Sequence, residues 1–119
     1  MPLSKKQLGK AGEEQACQFL QSQGLKLIDK NFYSRFGEID LIMLDNNYLV
    51  FIEVRSRKNM GFGSSLESIT LVKQNKLRKT ADFFFLKNVH YNKMPARFDV
   101  VLIPPTSIND QINWLQNAF

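Results

Sequence analysis

The sequence is poor in the residues that build disulfide frameworks and soft-metal sites. It contains one cysteine, Cys17, and one histidine, His90. A single cysteine excludes an internal disulfide and a zinc site made of clustered cysteines. A single histidine, far in sequence from any nucleophile motif, argues against a Ser-His-Asp triad. Cys17 is predicted to be a small, half-buried hydrophobic residue.

Long hydrophobic runs are also missing. No stretch reaches the ~18 apolar residues of a transmembrane helix, and residues 1–10 lack the apolar run of a signal peptide. We therefore expect a cytoplasmic protein without a membrane partner. The chain has 119 residues, of which 44% are hydrophobic and 23% charged. This is the composition and length of one globular domain spanning residues 1–119.

The charge is unbalanced, and the imbalance is localised. Sixteen lysines and arginines against eleven acidic residues give a net charge of +5, which indicates an anionic partner. Residues 55–79 carry the whole excess, with Glu67 as their single carboxylate. Their cations are Arg55, Arg57, Lys58, Lys73, Lys76, Arg78 and Lys79. Such a concentration favours a phosphate backbone over a uniformly basic surface.

Hydrophobic periodicity predicts two helices and at least four strands. The helices are residues 4–23, followed by Gly24 as a stop signal, and a second beginning at Ser68 or Thr70 and ending near Leu86. The extended segments begin at residue 25 and cover residues 38–44, 49–57 and 98–103. Residues 59–65 read as a Gly/Ser loop, and the tail, 110–119, is a possible further strand. The order α-β-β-β-α-β is typical of an α/β or α+β domain.

Two carboxylates are predicted to meet on a hairpin. If Asn46 and Asn47 form a two-residue turn, Leu44 pairs with Leu49, and Asp40 lies opposite Glu53. Like charges in this position destabilise a sheet unless they face solvent, share a proton or bind a cation. Without cysteine or histidine, a hard cation such as Mg²⁺ is the expected ligand. The same register places Glu38 opposite Arg55, either as a simple ion pair or beside a phosphate.

The helices add further charges near this hairpin. Glu13 lies at the edge of the apolar stripe of the first helix, whereas Glu14 lies on the far side and is expected in water. The stripe itself is Leu8, Gly12, Ala16, Phe19 and Leu20. On the second helix, Lys73 shares the apolar face of Leu77, Ala81 and Phe84, so it must extend to solvent or meet the hairpin carboxylates. Residues 83–85 are three phenylalanines, expected in the core rather than as a base-stacking platform.

Four blocks of sequence carry a family resemblance. They are Gly9-x-x-Gly12-Glu13-x-x-Ala16, Gly37-Glu38-Ile39-Asp40-Leu41-Ile42, Val50-Phe51-Ile52-Glu53-Val54-Arg55-x-Arg57 and Arg97-Phe98-Asp99-Val100-Val101. On these blocks, together with Lys73, the chain is identified as a member of the YraN-like family of small bacterial proteins. That family is similar to the restriction-endonuclease-like superfamily, which includes archaeal Holliday-junction resolvases.

The resemblance implies an α/β fold with a restriction-endonuclease-like core and a mixed central sheet flanked by helices. It also implies a Mg²⁺ or Mn²⁺ site formed by Glu13, Asp40 and Glu53, and a catalytic set of Asp40, Glu53, Arg55 and Lys73. The superfamily pattern has lysine where this chain has Arg55. Arginine stays protonated and cannot act as a general base, although it can stabilise charge on a phosphate.

Three hypotheses follow. The first is a metal-dependent endonuclease acting on DNA, preferring branched or irregular structures. Its nucleic-acid contacts would come from the catalytic cations and from Arg57, Lys58 and Lys76, with the loop 59–65 beside the backbone. The second is a nucleic-acid-binding module of the same fold without cleavage activity, which Arg55 favours. The third is a protein-interaction domain with purely surface charge. Junction-cutting relatives act as dimers, but we find no homodimer signature in the sequence.

Overall fold

The computed structural model describes residues 4–56, 69–104 and 111–119. Among them, two helices and five strands follow one another in the predicted order. They are α1 (Lys5–Ser22), β1 (Lys26–Ser34), β2 (Gly37–Asp45), β3 (Tyr48–Ser56), α2 (Leu71–Lys87), β4 (Ala96–Ile103) and β5 (Asn113–Leu115), with a short 3-10 turn at Val89–Tyr91. The tail does add a strand. None of the helices in the described ranges is long and apolar enough to cross a membrane.

The five strands form one mixed sheet in the order β1-β2-β3-β4-β5. Strands β1, β2 and β3 form an antiparallel meander, β4 runs parallel to β3, and β5 pairs antiparallel with β4. The parallel pair requires a crossover connection, and α2 lies within that connection. The predicted α/β class with a mixed, helix-flanked sheet is therefore confirmed, and it is compatible with a restriction-endonuclease-like core.

The hairpin register is confirmed up to the edge of the predicted site. Asn46 takes a positive φ of 53° in the turn, and Leu44 pairs with Leu49. The ladder ends at the pair Leu41 and Ile52. The next residues along each strand are Asp40 and Glu53, so these carboxylates lie just where regular pairing of β2 with β3 stops.

Helix α1 begins and ends at the predicted signals. Ser4 forms a capping box with Gln7, and Gly24 has a left-handed φ of 99° directly after the helix. The interpretation of Cys17 as half-buried was wrong, because it is 2% exposed against the sheet with Ala16 and Leu20.

Leu8, which shares the predicted apolar face of α1, is 52% exposed. Gly12, one turn later, approaches Ile103 of β4, and the buried residues of α1 begin only at Ala16. The first turns of α1 therefore carry the apolar periodicity without a sheet residue to bury Leu8 against.

Helix α2 covers the other face of the sheet. Thr70 caps its first turn, and Leu77, Ala81 and Phe84 pack with Phe51. Successive residues of β3 point to opposite faces of the sheet. Val50 and Ile52 pack in the cluster under α1, and Leu49 and Phe51 pack in the cluster under α2, so both faces of this strand are buried. Phe84 and Phe85 belong to this core, as expected, whereas Phe83 is half-buried at its margin and contacts the Phe32 ring.

Candidate metal centre and nucleic-acid interface

A cleft of about 400 Å³ opens where α1, β2, β3 and α2 meet. Five of the predicted site residues line it, although they come from distant parts of the chain. The full lining is Gly9, Glu13, Phe36, Gly37, Glu38, Asp40, Glu53, Val54, Lys73, Lys76 and Leu77. One wall is acidic and the opposite wall, from α2, is basic, so the cleft presents both a cation site and cationic side chains.

Three carboxylates converge on the acidic wall. Oxygens of Glu13, Glu38 and Asp40 lie within 4.8 Å of one another. Asn31 of β1 holds two of them, because its Nδ2 donates to Glu13 Oε1 at 2.9 Å and to Glu38 Oε2 at 3.2 Å. Asn31 itself has a left-handed φ of 50°. The boundary position predicted for Glu13 thus brings it across to the sheet, whereas Glu14 is exposed and pairs with Lys30.

Asp40 is the most deeply placed of these acids and is 8% exposed. Its Oδ2 accepts a hydrogen bond of 2.8 Å from the Val54 backbone N–H, which occupies the point where the β2–β3 ladder ends. Burial, followed by the nearby charge of Glu53, raises the pKa of Asp40 to about 8. In the absence of a cation, a proton is therefore the favoured partner of this carboxylate at neutral pH.

Glu53 lies on the cationic side of the cleft. Its Oε1 is 3.6 Å from Lys73 Nζ and 3.9 Å from Arg55 Nη1. Burial raises the pKa of Glu53, and the charges of Lys73 and Arg55 oppose that increase. Lys73 satisfies both predicted alternatives, because its side chain is 43% exposed and still contacts a hairpin carboxylate.

The structure adds residues that the sequence alone did not assign to the site. Glu38 was considered only as a partner of Arg55, yet it joins Glu13 and Asp40 on the acidic wall. Its position two residues before Asp40 could have indicated this role, because residues i and i+2 of a β-strand point to the same face of the sheet. Asn31 carried no signal, because its role depends on the pairing of β1 with β2. Arg57, Lys58 and the loop 59–65 lie outside the described residues.

The donor set fits a hard divalent cation. Glu13, Glu38 and Asp40 offer only oxygen ligands, which Mg²⁺ and Mn²⁺ prefer over nitrogen or sulfur. Burial, the largest cause of the raised pKa of Asp40, and the nearby charge of Glu53 both disfavour the ionised carboxylate, and a bound cation would favour it. Glu53, the third acid of the predicted metal site, lines the same cleft but is not one of the three acids whose oxygens lie within 4.8 Å of one another.

Comparison with known proteins gives a consistent family. The model of a family described as "Uncharacterised protein family UPF0102" matches residues 12–103. A UPF0102 protein of Legionella pneumophila (strain Corby) is 48% identical over 111 residues, covering 93% of this chain and 92% of the relative. A UPF0102 protein of Pseudomonas fluorescens (strain Pf0-1) is 48% identical over 113 residues, covering 95% and 92%. By its match to the family model and by its full-length similarity to these relatives, the chain belongs to UPF0102, the YraN-like family.

Proposed function

We propose that this protein hydrolyses phosphodiester bonds in DNA with a divalent cation, acting on branched or otherwise irregular structures. The observation that carries the proposal is the meeting of three carboxylates, the buried Glu53 and Lys73 in one cleft, with Arg55 beside Glu53. Carboxylates for a metal ion beside cations for a phosphate are the two requirements of metal-assisted phosphodiester hydrolysis.

Each side chain has a role that follows from its surroundings. Glu13, Glu38, Asp40 and Glu53 would hold Mg²⁺ or Mn²⁺ through oxygen. Such an ion, when bound, supplies an activated water and polarises the phosphate. Asn31 orients Glu13 and Glu38 through its two hydrogen bonds, so their oxygens point to a common centre.

The cationic side chains at the cleft would contact the phosphate in different ways. The guanidinium of Arg55 can stabilise negative charge on the scissile phosphate, but a guanidinium does not serve as a general base for water. The Lys73 side chain is half exposed, so its ammonium can both contact Glu53 and turn toward a phosphate oxygen. Lys76, one turn further along α2, lines the same cleft and extends its basic wall.

The direct test is cleavage by the purified protein with Mg²⁺ or Mn²⁺, offered four-way junctions, flaps and linear duplex. Asp40→Asn removes a charged ligand and keeps an oxygen acceptor for the Val54 N–H. We expect it to lose more than the ~10- to 100-fold that even outer-shell changes cost at metal sites. The matched control is Glu14→Gln, which neutralises an exposed acid on α1 outside the cleft.

A second candidate, a nucleic-acid-binding module without cleavage, is favoured by arginine at position 55. Binding that persists without any metal-dependent cutting, and that is unchanged in Asp40→Ala, would support this module and reject the nuclease. A salt titration separates both from a protein-interaction domain. Contacts to phosphates require the affinity for DNA to fall steeply with salt, whereas an interaction domain would bind duplex at no salt concentration.

A further inference from the structure

The turn between β1 and β2 lies at the edge of the cleft. Ser34 and Gly37 pair across it, leaving Arg35 and Phe36 at the tip. The turn is fastened to α2, because Ser34 Oγ lies 2.9 Å from Thr80 Oγ1 and Gly37 packs against the same threonine. Thr80 is fully buried, so this attachment is shielded from water.

The ring of Phe36 forms cation–π contacts with two side chains at this edge. The Arg35 guanidinium lies 4.9 Å from the centre of its ring, and Lys79 Nζ of α2 lies 5.3 Å from the same centre. Both cationic side chains are exposed, and neither forms an ion pair with a carboxylate within the described part of the chain. Phe36 itself lines the cleft. Two uncompensated charges are thus held next to the acidic wall by one aromatic ring.

We propose that Arg35 and Lys79, positioned by Phe36, form a clamp for the phosphate backbone of the DNA strand that leaves the cleft. The proposal rests on the proposed function, since it assumes a nucleic-acid substrate. Lys73 and Lys76 line the basic wall of the cleft, and the clamp continues this wall across α2 to the β1–β2 turn. The occupant is an anionic strand rather than a peptide, because the clamp offers charge and no apolar groove.

The aromatic ring makes the clamp more than a set of surface charges. Long cationic side chains lose conformational freedom when they bind, and this loss weakens most surface contacts. A ring that already holds both cations reduces this loss. Phe36 is therefore a positioning residue, and Arg35 and Lys79 are the contacting residues.

The test is DNA binding in EDTA, where no cleavage occurs, measured by fluorescence anisotropy over a range of salt. Arg35→Gln and Lys79→Gln should each weaken binding about fivefold at 0.15 M salt and reduce the salt slope by about 0.9. The double variant should lose roughly 30-fold and about 1.8 of slope. Arg78→Gln is the matched control, since Arg78 precedes Lys79 but stacks over Phe98 and Phe119 instead.

Phe36→Leu separates positioning from charge. It keeps an apolar side chain and both cations, so the salt slope should stay at the wild-type value while affinity falls roughly two- to fivefold. Thermal melts of all variants confirm that they fold. If the double variant matches Arg78→Gln in affinity and slope, the clamp is refuted while the proposed function stands. If the wild-type protein itself binds no DNA, both proposals fail.

Discussion

A single buried carboxylate links the chemistry of this protein to its stability. Asp40 is almost enclosed, accepts one backbone hydrogen bond, and lies close to the charges of Glu53 and Glu13. Removing such a group from water without a cation is costly, and the cost is expressed as a raised pKa. Asp40 can reduce this cost in two ways, by binding a proton or by binding a metal ion.

The proton alternative predicts an unusual pH dependence. With EDTA present, the folded protein holds a proton on Asp40 up to pH about 8, whereas the unfolded chain releases it near pH 4. The free energy of unfolding should therefore fall as pH rises from 5 to 8, by on the order of a few kcal/mol. Urea denaturation at the two pH values measures this change. Asp40→Asn should flatten the dependence markedly, whereas Asp82→Asn, an exposed acid on α2, should leave it intact.

At the scale of elements, the C-terminal strand is held by a second buried acid. Asp99 of β4 is fully buried and accepts from Arg97 Nε at 3.0 Å, from Trp114 Nε1 at 2.9 Å and from the Asn117 N–H at 2.8 Å. Arg97 continues the network to Asp45 at the β2–β3 turn, at 2.7 Å. One carboxylate thus joins β4 and β5 and, through Arg97, the turn of the β2–β3 hairpin.

Asp99→Ala should cost about 3–5 kcal/mol, because it leaves Arg97 and Trp114 with unsatisfied donors in a dry environment. Trp114 is the one tryptophan of the chain, so its fluorescence reports the loss of this network during urea denaturation. Asp29→Asn provides the comparison, since among the described residues this exposed aspartate of β1 accepts a hydrogen bond only from the Lys30 backbone N–H. Equal midpoints for Asp99→Ala and Asp29→Asn would contradict the network's structural role.

For the whole molecule, the cleft exists only when both helices pack on opposite faces of the sheet. Glu13 comes from α1, Glu38 and Asp40 from β2, and Glu53 from β3. Of the basic segment predicted from the sequence, Lys73 and Lys76 face the cleft, whereas Arg78 faces Phe98 and Phe119. Ligand binding at the cleft should therefore favour the folded state as a whole.

A divalent cation should stabilise the folded protein. At a concentration 100 times its Kd, the gain is about 2.7 kcal/mol, which corresponds to several degrees in Tm. Thermal melts with increasing Mg²⁺ or Mn²⁺ at constant ionic strength measure this shift. Asp40→Asn should lose most of it, and Glu14→Gln should retain it. An identical Tm shift in wild type and Asp40→Asn would mean that the ion binds elsewhere.

Much of the fold was predictable because its signals are local. Ser4, Thr70 and Gly24 mark helix ends through hydrogen bonds and φ values set within a few residues. The two-residue turn at Asn46 determines the register of β2 and β3, and with it the proximity of Asp40 to Glu53. Leu8 shares the apolar face of α1 and is nevertheless exposed. Apolar periodicity indicates which face of a helix can be buried, but not whether another element packs against each residue of that face.

The sequence by itself determined the order of the elements, the hairpin register and the family, because each depends on short-range pattern. Only the tertiary structure decided that Glu38 joins Glu13, that Asn31 holds both, and that Phe36 gathers Arg35 and Lys79. These contacts join residues from different elements, whose approach depends on how strands pair and how helices pack. That information lies in the packing of the whole chain, and no local periodicity contains it.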